Sequence, residues 1–331
     1  MGLDRRSLLA TSVALAAFGS GVVRAEGASS DGAMAQAEFP SAAETIELWP
    51  KGAPGDLDPN RIERVVERST DSNIRDRAMS GISNPRMLVV RARQPNGGAL
   101  LVIPGGGYRH IVVDKEGLET ARWASEQGLT AFVLFHRLPG EGWADRANVP
   151  SRDAQRAVRL ARHHSGRLGF DPARIAMIGF SAGGHVAAEA SVNAVSIDAP
   201  VDSADREDCT PACTALLYPV ISMREPLAHA GSRRLLLGER PPASAESAHS
   251  PDRNVTDKAP PFFLAHAEDD SAVSVQNTVA MRDALKAKRV AVETHLFAEG
   301  GHGFGMRRID RGTLSLWPQM LLAWMKEHGV A

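Results

Sequence analysis

The 331-residue chain is short of aromatic residues, cysteine, net charge and long apolar runs. Aromatic side chains make up 5% of it, too few for a stacking platform along an extended polymer. Lys and Arg number 38 against 39 Asp and Glu, a formal net charge of −1. That balance provides no basic stripe for nucleic-acid phosphates or an anionic membrane surface. The two cysteines, Cys209 and Cys213, flank Pro211 without companion histidines, which argues against a metal site. In an oxidising compartment they either close a small disulfide loop or stay as two free thiols. No run of eighteen strongly apolar residues occurs beyond the extreme N-terminus, so the body of the chain does not span a bilayer. With 43% hydrophobic and 23% charged residues, the remainder is that of an ordinary globular protein, and wholesale disorder and collagen-like repeats are excluded.

The N-terminus reads as an address. Arg5-Arg6-Ser7-Leu8-Leu9 precedes a mildly apolar, charge-free stretch from Ala10 to Val23, and Val23-Arg24-Ala25 offers small residues for cleavage. The paired arginines and the Ala/Gly/Ser-rich core resemble a twin-arginine export signal. Cleavage near Glu26 and delivery to the periplasm or the medium are expected, the alternative being an uncleaved anchor. Residues 26–43 lack apolar periodicity and read as a flexible leader.

From residue 44 to 331 a single α/β domain is expected. Apolar strand runs at Met87–Val90, Ala99–Ile103, Thr130–Phe135, Arg174–Gly179, Ala215–Val220, Phe262–His266 and Val290–Phe297 alternate with helical stretches. The helices are expected over Gly117–Gln127, Arg152–Ser165, Ala182 to about Ala194, Val275–Lys288 and Leu314–His328. Continuous apolar strands between helices imply a mostly parallel twisted sheet covered on both faces. The stretch from 222 to 261 is rich in Pro, Ser and Arg and long for a connection; it reads as an insert, either a lid or pocket wall or without a role.

Chemistry concentrates in four places. Gly179-Phe180-Ser181-Ala182-Gly183 lies between an expected strand and an expected helix, the setting of a nucleophile elbow. A serine hydroxyl needs a base, and His302 sits in the loop Gly300-Gly301-His302-Gly303 after the last strand. His185 would project beside the elbow as packing, and His163 and His164 end a helix in solvent. An acid must hold the imidazole's tautomer. Glu268-Asp269-Asp270 follows a strand at its C-terminal end, where open α/β sheets form their sites. The order Ser181, Asp270, His302 is that of an α/β-hydrolase, and a solvated or calcium-binding loop is the alternative for the acidic triplet. Backbone donors for a developing oxyanion are available from Ala182 and from the run Gly105-Gly106-Gly107. A phosphate-cradling reading of that run fails for want of a following Lys-Ser/Thr.

With Pro104-Gly-Gly-Gly-Tyr108, Gly179-Phe-Ser-Ala-Gly-Gly184-His185, Asp270 and Gly300-Gly-His-Gly-Phe304 in place, the chain resembles α/β-hydrolases. More narrowly it resembles the exported acetyl esterases related to xylan-deacetylating enzymes, the BD-FAE-like group. Glu116-Gly117, Phe132-Val-Leu-Phe-His-Arg-Leu138, Asp153-Ala-Gln-Arg156, Tyr218-Pro-Val-Ile-Ser222 and His229-Ala-Gly-Ser-Arg233 extend the match over residues 46–328. The resemblance implies Ser181 as nucleophile, His302 as base, Asp270 as its orienter, and amides of Gly106 or Gly107 with Ala182 as oxyanion hole. It implies short acyl groups, chiefly acetyl, on sugar hydroxyls, with no metal and no organic cofactor. Tyr108, His136 and Trp143 are expected at the substrate; His136 stands where the group leads one to expect tyrosine. The expected partner is a small-molecule or oligosaccharide ester, with no nucleic acid and no membrane for the mature form. Rival readings are a feruloyl or aryl esterase, a prolyl-oligopeptidase-like peptidase, and a non-catalytic binding protein of the same fold.

Overall fold

A computed structural model describes residues 44–193, 200–308 and 312–331. The expected signal and leader, residues 1–25 and 26–43, lie outside the described residues. The described residues begin with strands β1 (Thr45–Glu47), β2 (Arg64–Glu67), β3 (Arg77–Ser80), β4 (Arg86–Val90), β5 (Ala99–Ile103) and β6 (Ile111–Val112). A π-helical turn (Val113–Leu118) leads into α1 (Glu119–Glu126), β7 (Thr130–Phe135), α2 (Val149–His163), α3 (Ser165–Leu168), β8 (Ile175–Phe180) and α4 (Ala182–Val192). After β9 (Cys213–Leu217) come α5 (Ala230–Leu237), α6 (Ala243–Ala248) and α7 (Pro251–Asn254). Then follow β10 (Phe262–Ala267), α8 (Gln276–Ala287), β11 (Val292–Phe297) and α9 (Trp317–Glu327).

The main sheet has the order β1-β4-β7-β5-β8-β9-β10-β11. Strand β4 runs against β1 and β7, and the remaining neighbours pair in parallel, as expected of an α/β fold. The continuous apolar runs have a direct explanation in this sheet. Along β5, Ala99, Leu101 and Ile103 enter one core and Leu100 and Val102 the other. Along β8, Ile175 and Met177 face the first core, and Ala176, Ile178 and Phe180 the second. Apolar residues of α2, α4 and α8 cover the first face, and those of α1 and α9 the second. Each large apolar side chain so buried contributes about 1.5–3 kcal/mol.

Sequence and structure differ in three ways. A second sheet, β2-β3-β6, is antiparallel and was not expected. Helix α2 starts at Val149, earlier than the expected Arg152, because Pro150 occupies the first turn, where a missing N–H costs nothing. The 222–261 stretch, which the sequence marks only as a long insert, carries three short helices, α5 to α7. The cysteine alternatives resolve in favour of free thiols: Cys209 and Cys213 are both buried and unpaired, and burial pushes the Cys213 thiol up to about 12.

One buried ion pair fixes the end of β7. Arg137 and Asp153 have side chains 1% and 0% exposed, and Arg137 donates to Asp153 from its backbone amide (2.8 Å), Nε (3.0 Å) and Nη2 (2.7 Å). Trp49 Nε1 donates to the same carboxylate at 2.8 Å. A charge this deep is tolerated because its lone pairs are nearly all engaged. Among the described residues no helix is long and apolar enough to cross a membrane.

Candidate active site

Parallel strands deliver their following loops to one sheet edge, and the turns after β5, β8, β10 and β11 meet there. Ser181 occupies the turn from β8 into α4 with φ +51° and ψ −120°, left-handed backbone that L side chains seldom adopt. The turn is tight enough to need its flanking glycines. A Cβ on Gly179 would lie 2.4 Å from the Gly183 carbonyl oxygen, and one on Gly183 would lie 2.3 Å from that of Ile103. The elbow and the β5 loop therefore pass in van der Waals contact, which only Gly permits.

Ser181 Oγ lies 2.8 Å from His302 Nε2, and His302 Nδ1 lies 2.7 Å from Asp270 Oδ2. The three side chains, 121 and 32 residues apart along the chain, form one hydrogen-bonded line. With Nδ1–H donated to the carboxylate, Nε2 presents a lone pair to the Ser181 hydroxyl, the tautomer a general base requires.

Asp270 is held from every side. Its Oδ1 accepts the amides of Ala272 and Val273, both at 2.9 Å, and its Oδ2 accepts His302 and, at 3.0 Å, His266 Nε2. Burial alone pushes a carboxyl's pKa up; here the hydrogen bonds from His266, His302 and Val273 outweigh it and hold Asp270 well below the usual carboxylate range. A folded pKa below the unfolded one means this group's stabilisation is present above the ordinary carboxylate range and disappears as pH falls through the folded value. His266 is fully buried, with Thr278 Oγ1 2.8 Å from its Nδ1, so its ring is pinned at both nitrogens.

The loop after β5 supplies the amides. Gly106 takes φ +130°, and a Cβ there would lie 2.0 Å from the His110 carbonyl oxygen. Among the described residues the amides of Gly106 and Gly107 donate to no partner, and a Cβ on Gly107 would meet nothing within 4 Å, so this part of the loop borders open space. Ala182 opens α4, where the first amides have no partner within the helix. Gly105 is different, because its amide donates to Glu116 Oε2 at 2.7 Å.

Glu116 ties the loop after β5 to the loop carrying His302. Its Oε1 accepts the Tyr218 hydroxyl at 3.1 Å, and the Tyr218 oxygen accepts the Gly305 amide at 3.2 Å. Tyr218 also packs edge-on against His302, with ring centroids 5.1 Å apart. Gly301 adds a second tether, donating its amide to Asp269 Oδ1 at 2.7 Å.

The three residues expected at the substrate are all buried. Tyr108 is buried and its hydroxyl lies 2.7 Å from His185 Nδ1. His136 is buried with Nδ1 donating to the Arg137 carbonyl at 2.8 Å. Trp143 is buried beneath the guanidinium groups of Arg61 and Arg137, 4.0 and 5.1 Å from its ring. Tyr108 is thus held by His185 of α4 and His136 by a backbone carbonyl, whereas the buried Trp143 Nε1 has no hydrogen-bond partner among the described residues. His185 is fully buried, packed beside the elbow, with Nε2 2.8 Å from the His249 carbonyl.

Sequence reasoning missed the parts played by Glu116, Tyr218 and His266. The signal for His266 was present: it is the one ionisable residue in the otherwise apolar strand Phe262–Ala267. For Glu116 nothing local pointed inward, since its partners come from residues 105 and 218.

Residues 91–285 match the BD-FAE family. The chain is 33% identical over 205 residues to the endo-1,4-beta-xylanase B of Butyrivibrio fibrisolvens, covering 62% of this chain and 32% of that one. It is 28% identical over 231 residues to the acetylxylan esterase of Xylanibacter ruminicola, covering 69% and 45%. The chain thus spans less than half the length of these two curated relatives. Among solved structures, an acetyl ester-xyloside bifunctional hydrolase from Caldicellulosiruptor lactoaceticus superposes with a TM-score of 0.71 at 32% identity, over 87% of this chain and 97% of that one.

Replacing Asp270 by Asn is expected to present an N–H or carbonyl wrongly matched to His302 Nδ1 and to lower kcat by about 10⁴-fold while the protein stays folded. Ester hydrolysis measured beside circular dichroism checks this; a folded variant within tenfold of the parent would show that Asp270 does not set the imidazole's tautomer.

Proposed function

The chain belongs to the BD-FAE family, and we propose that it is a serine carboxylic ester hydrolase removing short acyl groups, chiefly acetyl, from carbohydrate esters such as acetylated xylo-oligosaccharides. The observation that carries this reading is the line Ser181 Oγ–His302 Nε2–His302 Nδ1–Asp270 Oδ2, with contacts of 2.8 and 2.7 Å. Ser181 attacks the acetyl carbonyl carbon as its proton passes to His302 Nε2. Asp270, ionised and fully hydrogen-bonded, stabilises the imidazolium that results. The carbonyl oxygen gains charge and is met by the amides of Gly106 or Gly107 and of Ala182, each such donor being worth about 2.7–4 kcal/mol. Collapse of the tetrahedral species expels the sugar alkoxide, which takes the proton from His302 and leaves acetyl on Ser181. A water deprotonated by the same imidazole then attacks the acyl group and releases acetate.

The acyl and sugar assignment is supported by what the relatives are named for: acetylxylan esterase in one, acetyl ester and xyloside hydrolysis in another. The intact hydrogen-bonded line weighs against a non-catalytic role, and the relatives give no support to a peptidase or an aryl esterase. This chemistry calls for no metal or organic cofactor. Export through the twin-arginine-like segment is part of the proposal, because acetylated plant polysaccharide lies outside the cell.

Incubation of the purified protein with acetylated xylo-oligosaccharides is expected to release acetate, and Ser181→Ala to lower kcat by about 10⁶-fold without unfolding. No acetate from the parent, or near-parental turnover in the variant, would overturn the assignment. N-terminal sequencing of exported protein is expected to begin near Glu26, and a sequence beginning at Met1 or Gly2 contradicts cleavage.

A further inference from the structure

His229 stands at the start of α5, and the catalytic line makes no use of it. Its Nδ1 accepts the backbone N–H of Ser232 at 3.2 Å and lies 2.8 Å from Ser232 Oγ. A backbone amide can only donate, so Nδ1 carries the lone pair and the neutral ring carries its proton on Nε2. Burial, with the nearby His302, pushes the His229 pKa down, against a smaller opposing pull from Asp270, and so favours that neutral form. Among the described residues Nε2 has no hydrogen-bond partner. The outcome is a single N–H donor of fixed direction, half-buried and unspent.

The ring borders a cleft of about 290 Å³ between the turn Pro226–His229 and the loop running from Glu268 to Val275. Its volume is just below the range of about 300–1,000 Å³ usual for drug-sized ligands, which suits one sugar unit. Besides His229, the lining offers the Glu268 carboxylate and the hydroxyls of Ser271 and Ser274, all exposed. The lining therefore carries both donors and acceptors, the complement of a polyol rather than of an acyl chain. The path of the catalytic proton points to the alcohol half of the ester on this side of the site. His302 must hand its proton to the departing oxygen, so the alcohol lies on the His302 side, opposite the amides of the β5 loop. The cleft is built on the loop that carries Asp270, the residue directly behind His302.

We propose that His229 is a specificity-determining residue whose Nε2–H donates to a hydroxyl or ring oxygen of the acetylated sugar, seated in this cleft. The inference rests on the carbohydrate-esterase reading and adds to it where the sugar binds. Because His229 also caps α5, two variants separate the roles. His229→Asn keeps a side-chain oxygen for the Ser232 amide and withdraws the donor from the Nε2 position. His229→Gln places an amide N–H near that position and gives up the cap.

The measurement is kcat/KM on an acetylated xylo-oligosaccharide divided by kcat/KM on ethyl acetate. His229→Asn is expected to lower this ratio about tenfold, mostly through KM on the sugar ester, the value of one hydrogen bond. His229→Gln is expected to stay within about threefold of the parental ratio. A ratio unchanged in His229→Asn, or equal losses on both esters, would overturn the subsite. A parent enzyme with no preference for the sugar ester would instead bring down the carbohydrate reading itself, and the subsite with it.

Discussion

The backbone of Ser181 sits in an unfavourable conformation, and the geometry of the whole site follows from it. A non-glycine residue at φ +51° costs about 1–3 kcal/mol. Hydrogen bonds worth about 0.5–1.5 kcal/mol each offset that cost. Ser181 donates its amide to Leu217 (3.0 Å), and its carbonyl accepts Gly184 (3.0 Å), His185 (3.3 Å) and Val220 (3.0 Å). The bonds to Leu217 and Val220 come from the neighbouring strand and its loop, so the elbow is braced by the sheet and does not depend on α4 alone. What the strain secures is a hydroxyl lifted off the strand end, free of its own backbone, in reach of an imidazole from another loop.

Three loops must then hold their places relative to that hydroxyl, and buried polar side chains do this. Glu116 joins the β5 loop to Tyr218, and Tyr218 joins Gly305 in the His302 loop. Asp270 joins His302 to β10 through His266. A buried carboxylate left without partners would be costly. Each of these acids is therefore stable only while the loops it binds are in position, which couples the integrity of the core to the alignment of the site.

The sequence disclosed the parts of the fold whose signal is local. Strands β5, β7, β8 and β10 were legible because burial on both faces leaves them almost wholly apolar. Ser181, Asp270 and His302 were legible because a glycine-flanked turn, a strand-end carboxylate and a glycine-rich loop each leave a short signature. Strands β2 and β3 read Arg-Val-Val-Glu and Arg-Ala-Met-Ser, too short and too polar to show a period. The π-helical turn turns Asp114 and Glu116 inward, and apolar periodicity cannot register a helix that buries its charges. Arg77 explains the first of these, donating to the Asp114 carboxylate from its amide (2.7 Å) and Nη2 (2.7 Å), across 37 residues of chain. The buried contacts of Tyr108, His136 and Trp143 were not legible either, because they are made to residues distant in sequence or to the backbone.

The central claim is that folding alone makes the hydroxyl of Ser181 nucleophilic, and covalent labelling with a fluorophosphonate followed by peptide mass mapping tests it most directly. The account predicts one phosphonyl group, on the peptide containing Ser181, in the folded protein, with labelling lost on unfolding. A label carried by another residue, or a folded protein in which Ser181 remains unmodified, would contradict it.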